Sequence, residues 1–269
     1  MRTIVHLSDL HFGRVDARIV TPLIQRVRAI NPNLVAISGD FTQRARRGQF
    51  IQARNFLDAL PFPTLVVPGN HDVPLYNVAS RVLNPFGGYR RYIAEDLEPV
   101  FVDEEVALVG LNSARALVME GRGRLNEAQV KRAADRLRRL SPQLIKIVVT
   151  HHPFDLPEGF HQQNLVGRAA MAMAELADSG ADLFLAGHLH VSHIGHSAER
   201  YKIKGHSALV VQAGTMSTRR RGELNTFNVL RLLRPEVWLE RYTWDVANQV
   251  FAHSWEGKFR HTETGWVVG

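Results

Sequence analysis

Five short apolar runs in this chain each end in a polar cluster, and that repeated pairing limits its fold more than any other feature. Thr3 to Leu7 leads into Ser8-Asp9-Leu10-His11, and Leu34 to Ile37 into Ser38-Gly39-Asp40. Thr64 to Val67 leads into Pro68-Gly69-Asn70-His71-Asp72, Ile145 to Val149 into Thr150-His151-His152-Pro153, and Asp182 to Ala186 into Gly187-His188-Leu189-His190. Each run has the length and the Val, Ile and Leu content of a strand buried on both faces. Helical periodicity fills the intervals: Ala17 to Ile30, Gln49 to Leu60, Asn126 to Leu140 with Asn126 as cap, and Val166 to Ser179 closed by Gly180. Strands alternating with helices predict an α/β core with much parallel pairing.

The last third reads differently. Val191 to Gly195, Ala208 to Ala213, Thr226 to Leu233 and Val237 to Trp244 are strand patterns without helices between them, and Arg234-Pro235-Glu236 is a turn. They predict a second, antiparallel sheet packed on the first. Residues from about 245 to 269 read as a surface-wrapping tail. Two segments, Val73 to Pro99 and Phe154 to Asn164, show no regular pattern; each follows a motif, so both are expected to wall the site. The 269 residues are read as one domain.

In open α/β sheets, ligands bind at the carboxyl ends of the strands. The pattern therefore gathers Asp9, His11, Asp40, Asn70, His71, His151, His188 and His190 at one edge. A lone histidine at a strand end is ordinarily structural. Five coincident clusters of carboxylates and imidazoles are costly to bury unless cations neutralise them. With no cysteine in the chain, thiolate metal sites and cysteine nucleophiles are excluded. A His, Asp and Asn ligand set suits Mn, Fe, Zn or Co. The formal charge of +7 carries little information, because 28 of the 33 basic residues are Arg and composition bias alone gives such a balance. Neither a secretory signal nor an apolar run of membrane-spanning length is found, so a cytoplasmic location is expected.

The ordered blocks Asp-x-His, Gly-Asp, Gly-Asn-His-Asp, His-x-Pro and Gly-His-x-His resemble the calcineurin-like metallophosphoesterase superfamily over residues 3 to 190. The resemblance implies a four-layer αββα sandwich, with two stacked mixed β-sheets flanked by helices. It implies two divalent or trivalent metal ions. Asp9, His11, Asp40 and His190 hold the first; Asp40 bridges to the second, which Asn70, His151 and His188 complete. It also implies that a hydroxide bridging the metals attacks phosphorus, and that His71 binds no metal but serves the leaving group as catalytic acid.

One position departs from the protein-phosphatase pattern, Gly-Asp-x-x-Asp-Arg-Gly. Gln43 stands where the second Asp would pair with the catalytic histidine, and Asp72 is the candidate substitute. The Gly-Asn-His-Asp and His-His-Pro blocks are closer to bacterial class III cyclic-nucleotide phosphodiesterases and their glycerophosphodiesterase relatives. A phosphodiesterase for a small anionic phosphoester is therefore the leading expectation, ahead of a phosphomonoesterase, a nuclease or a non-catalytic scaffold. Nucleic acid is disfavoured, since 269 residues leave no room for an added DNA-binding domain. A homodimer is in keeping with the family.

Other features have plainer expectations. Arg219-Arg220-Arg221 is read as a solvated loop. His193, His196 and His206 are read as lying at the surface or behind the site. His6 is read as a packed core histidine, and Tyr89 to Tyr92 as a helix face with ordinary packing.

Overall fold

In the computed structural model, which describes residues 1–117, 121–201 and 207–269, the chain begins β1 (Arg2–Leu7), α1 (Ala17–Ile30), β2 (Leu34–Ile37), α2 (Arg47–Asp58) and β3 (Thr64–Val66). Two short helices follow, α3 (Val78–Leu83) and α4 (Gly87–Tyr92). Then come β4 (Val100–Val102), β5 (Val106–Gly110), α5 (Glu127–Arg139), β6 (Ile145–Val149), α6 (Ala169–Asp178) and β7 (Leu183–Ala186). The last part holds β8 (His193–His196), α7 (Ser197–Arg200), β9 (Leu209–Gln212), β10 (Thr226–Leu233), β11 (Glu236–Asp245), β12 (Val250–Thr262) and β13 (Gly265–Val268). Helix signals read from sequence have their expected chemistry. Asn126 accepts the Gln129 N–H at 2.8 Å at the start of α5, and Gly180, at φ +87°, follows the end of α6.

The strands form two sheets, in the orders β13-β12-β11-β10-β1-β2-β3 and β4-β5-β6-β7-β9-β8. Alternation along each strand makes the layers. On β1, Ile4 faces the apolar layer between the sheets, with Leu34, Ile147 and Leu185. Its neighbours Val5 and Leu7 face the layer under α1 and α2, with Leu23 and Phe56. The other sheet buries Val148 and Phe184 against Leu137 of α5 and Leu176 of α6. The result is a four-layer sandwich, as the motifs implied. No helix among the described residues is long and apolar enough to cross a membrane.

Three sequence expectations need correction. The late strands do not make a sheet of their own. β10 pairs antiparallel with β1, so β10 to β13 extend the first sheet, while β8 and β9 complete the second, β9 running parallel to β7. The eight-residue β10 is buried nearly throughout because it lies between β1 and β11. Residues 245–269 are not a surface-wrapping tail but mostly β12 and the short edge strand β13, which covers only Phe259 to Thr262 of β12. Most of β12 is polar and exposed, anchored by Phe251 and Phe259, too sparse an apolar pattern to read as a strand. Its successor buries Trp266, whose indole N–H donates to Asp182 at 3.1 Å. Residues 73–99 are not wholly irregular, since they contain α3 and α4. Tyr89, fully buried, packs edge-on against Phe41 at 5.9 Å.

Candidate metal centre

The parallel strands β1, β2, β3, β6 and β7 deliver their loops to one edge, where backbone hydrogen bonds lace them together. Asp9 N donates to Gly39 O at 3.1 Å, His11 N to Asp40 O at 2.8 Å, and Gly187 N to His151 O at 3.0 Å. The backbone there is unusual. Asp9, His11, Asp40, His188 and His190 all have positive φ, between 47° and 72°. Non-glycine residues rarely adopt this left-handed region and persist in it only where the surrounding structure dictates it. Glycines make the close approaches possible. A Cβ on Gly187 would strike Ser8 Oγ and the Asp9 carboxylate, and Gly39 itself lies at φ +92°.

All eight residues singled out from the sequence meet at this edge, in two groups that touch. In the first, His190 Nε2 lies 3.1 Å from Asp9 Oδ1 and 3.0 Å from His11 Nε2. In the second, Asn70 Oδ1 lies 3.1 Å from both His151 Nε2 and His188 Nδ1. Asp40 joins them. Its Oδ2 is 3.5 Å from His11 Nε2 and 3.4 Å from His151 Nε2.

The donor set fits metal ions on direct grounds. His190 Nδ1 is 2.6 Å from the Arg219 carbonyl, and His151 Nδ1 is 2.7 Å from the Ser38 carbonyl. A carbonyl can only accept, so each Nδ1 carries the proton and each Nε2 turns a lone pair inward. Those lone pairs face carboxylate and amide oxygens that are themselves acceptors. Asp9 Oδ1 and His11 Nδ1, both buried, have no hydrogen-bond partner among the described residues. Convergent lone pairs in a buried site need cations or protons. Electrostatics agrees. Although burial opposes charge, His190 and His11 hold the Asp9 carboxyl well below the usual range. Against the same burial, Asp40 and its neighbours push His151 up to about 9. Burial and the nearby His151 push His188 down to about 3.

His152 lies within ligand distance of His151 and His188, yet it has no lone pair to offer. Its Nε2–H donates to Gly121 O at 2.7 Å, and Nδ1 accepts from Ser113 Oγ at 2.8 Å. The described residues thus offer two groups, each suited to an ion, with Asp40 between them.

His71 stands at the rim, its ring edge-on to His11 at 4.8 Å. Its backbone N–H donates to Asp40 Oδ1 at 2.8 Å. Nδ1 lies 2.8 Å from the main-chain carbonyl of Gln43 and 2.9 Å from Arg44 Nη1; Nε2 lies 2.9 Å from Arg219 Nη1, which can only donate, so Nε2 accepts there and the proton sits on Nδ1, toward the carbonyl. Asp72 is not the partner. Its Oδ2 accepts from Phe41 N and Gly69 N, and its Oδ1 from Thr42 N and Thr42 Oγ1. Arg219, Arg220 and Arg221 are exposed, as expected of a solvated loop, but Arg219 also touches His71 and, through its carbonyl, His190. Three consecutive arginines gave no sign of which one reaches His71.

His71 and Asn70 also line a cavity of about 260 Å³ with Gln43, Arg44, Leu75, Arg81 and Arg115. Leu75 and Arg81 come from the 73–99 segment, which walls the site as expected. No residue of 154–164 lines it. His6 is a core histidine, bonded to Ser38 Oγ at 2.9 Å. His193 pairs with Asp155 at 3.0 Å, His196 packs near Phe259, and His206 lies outside the described residues.

The family described as calcineurin-like phosphoesterase matches residues 2–192. The chain is 27% identical over 209 residues to the glycerophosphodiester phosphodiesterase GpdQ of Enterobacter lignolyticus (strain SCF1), covering 70% of each. Among solved structures, a dimetal phosphatase from Danio rerio superposes with a TM-score of 0.66 at 15% identity, covering 88% of this chain and 95% of that one. The purple acid phosphatase PPD1 of yellow lupin (Lupinus luteus) gives 0.70 at 13% identity, covering 95% and 53%. These structural likenesses concern the fold.

Proposed function

This chain belongs to the calcineurin-like phosphoesterase family, and from that premise we propose a dinuclear metal-dependent phosphodiesterase acting on a small phosphodiester, of cyclic-nucleotide or glycerophosphodiester type. Asp9, His11, Asp40 and His190 hold one ion; Asp40, Asn70, His151 and His188 hold the other. The observation that carries this reading is Asp40 Oδ2, 3.5 Å from His11 Nε2 on one side and 3.4 Å from His151 Nε2 on the other. A carboxylate in that position serves both groups. The likeness to a glycerophosphodiester phosphodiesterase favours the diester.

When bound, such ions activate water and neutralise charge on the phosphoryl oxygens. The chain's own residues supply the rest. His71 faces the leaving group through Nε2. Protonated there, it donates to the departing alkoxide, while the Gln43 carbonyl holds Nδ1–H in either charge state. Arg219, displaced from Nε2 by substrate, turns its guanidinium to a phosphoryl oxygen. The tautomers of His151 and His190 are set by Ser38 O and Arg219 O, which leaves each Nε2 free to hold an ion.

The test compares bis(nitrophenyl) phosphate with nitrophenyl phosphate, after chelation and after restoring Mn, Fe, Zn or Co. The expected result is diester turnover that vanishes on chelation and returns with metal. Turnover of the monoester alone overturns the diester assignment, and metal-independent turnover overturns the mechanism.

A further inference from the structure

Beside His71, the cavity of about 260 Å³ is lined by Arg44, Arg81 and Arg115. All three are partly buried, and none forms an ion pair among the described residues. Their donors rest on neutral groups instead. Arg44 Nη1 donates to Gln43 O at 3.0 Å and also lies 2.9 Å from His71 Nδ1, and Arg81 Nη1 donates to Pro74 O at 3.1 Å. Arg115 Nη1 donates to Asn112 O and Ala114 O, both at 2.8 Å, and its Nη2 to Gln129 Oε1 at 2.7 Å. The carboxylate whose charge Arg115 feels, Glu98, is bonded to Arg132 at 3.1 Å.

Three cations gathered without counter-charge are costly in a half-buried pocket. Arg115 is the clearest case, because three acceptors fix its guanidinium and none neutralises it. Fixed, dehydrated guanidinium groups are what a phosphate dianion binds best. The metal ligands account for the scissile phosphate, and the three arginines line the cavity that Asn70 and His71 also border. A larger groove of about 680 Å³ that includes Tyr76 and Arg91 shares Arg44 and Leu75 with this cavity. That leaves room for a nucleoside or sugar.

We propose that the substrate is a phosphodiester with a second phosphate on one substituent, seated among Arg44, Arg81 and Arg115. This rests on the phosphodiesterase reading for the position of the scissile group, and it narrows the substrate class to bisphosphorylated compounds. A neutral glycerol substituent would leave the three arginines unused.

The test measures binding directly, by calorimetry on the metal-loaded full chain. Adenosine 3′,5′-bisphosphate is compared with adenosine 5′-monophosphate and adenosine 3′-monophosphate. The bisphosphate should bind about tenfold tighter than either, or better, and Arg81→Gln and Arg115→Gln should each reduce that ratio severalfold. Arg81 lies on a short surface helix, so its variant reports even if Arg115→Gln folds poorly. A smaller ratio in the wild-type chain, or a ratio that Arg81→Gln and a folded Arg115→Gln both keep, overturns the proposal. Hydrolysis of bis(nitrophenyl) phosphate is followed on the same samples. Absent turnover counts against the phosphodiesterase reading, whereas the affinity ratio decides the arginine subsite.

Discussion

The imidazole of His71 is held through Nδ1 by the main-chain carbonyl of Gln43, 2.8 Å away. The side chain at position 43 takes no part in this bond, and its Oε1 has no partner among the described residues. Gln43→Ala should therefore keep kcat for an alkyl phosphodiester within about threefold, whereas His71→Ala should lower it by about 10²- to 10⁴-fold with both metals retained. With a nitrophenolate leaving group the His71→Ala loss should shrink. Steady-state kinetics with paired leaving groups, alongside metal analysis, checks all three. An inactive, folded Gln43→Ala would refute the carbonyl's role.

Asp72 does a different job from the one its position in the motif suggests. It collects the N–H groups of Phe41, Thr42 and Gly69 and so ties the loop after β2 to the loop after β3. Asp72→Ala strands three buried donors at about 1–3 kcal/mol each. The expected loss is about 3 kcal/mol or more, read as a lower urea midpoint. An unchanged midpoint would contradict this account.

His6 predicts a pH dependence of folding. Burial pushes it down to about 3, although Asp9 pulls the other way. The native state therefore keeps it neutral where the unfolded chain, near its ordinary value of about 6.5, takes up a proton. Its contribution is complete above about pH 6.5 and is lost as pH falls toward 3, at about 1.4 kcal/mol per unit. His6→Asn should flatten the stability profile between pH 6.5 and 5 relative to wild type. Parallel slopes in urea titrations would show that His6 is not responsible.

Gly187→Ala should cost the chain one ion rather than its fold. The added methyl meets Ser8 Oγ and Asp9 Oδ2, displacing the carboxylate that faces His190. Metal content should fall from about two ions per chain to about one, with far-ultraviolet circular dichroism unchanged. Two tightly held ions in the variant would remove the glycine's assigned purpose.

What could be read in the sequence followed from periodicity and ligand chemistry. β1, β2, β6 and β7 were legible because both faces are buried and the runs are mostly apolar, interrupted only by His6 near the end of β1 and Lys146 in β6. Their polar ends were legible because carboxylates and imidazoles cluster there without an apolar explanation. β12 escaped notice because a strand that lies at the edge for most of its length needs few apolar residues. The partner of His71 escaped notice because a main-chain carbonyl leaves no trace in residue identity. The contact of Arg219 with His71 was equally invisible, since Arg220 and Arg221 carry the same side chain. That Arg44, Arg81 and Arg115 form no ion pair among the described residues depends on which acidic residues lie near them in space.

The left-handed backbone at Asp9, His11, Asp40, His188 and His190 sets the chain's own stability against its chemistry. At each of these positions glycine would relax the main chain, by about 1 kcal/mol or more. A lineage that no longer needed the reaction would gain by losing these side chains first. In this sequence every one of the five carries the carboxylate or imidazole that the proposed metal centre requires, at that cost to the backbone.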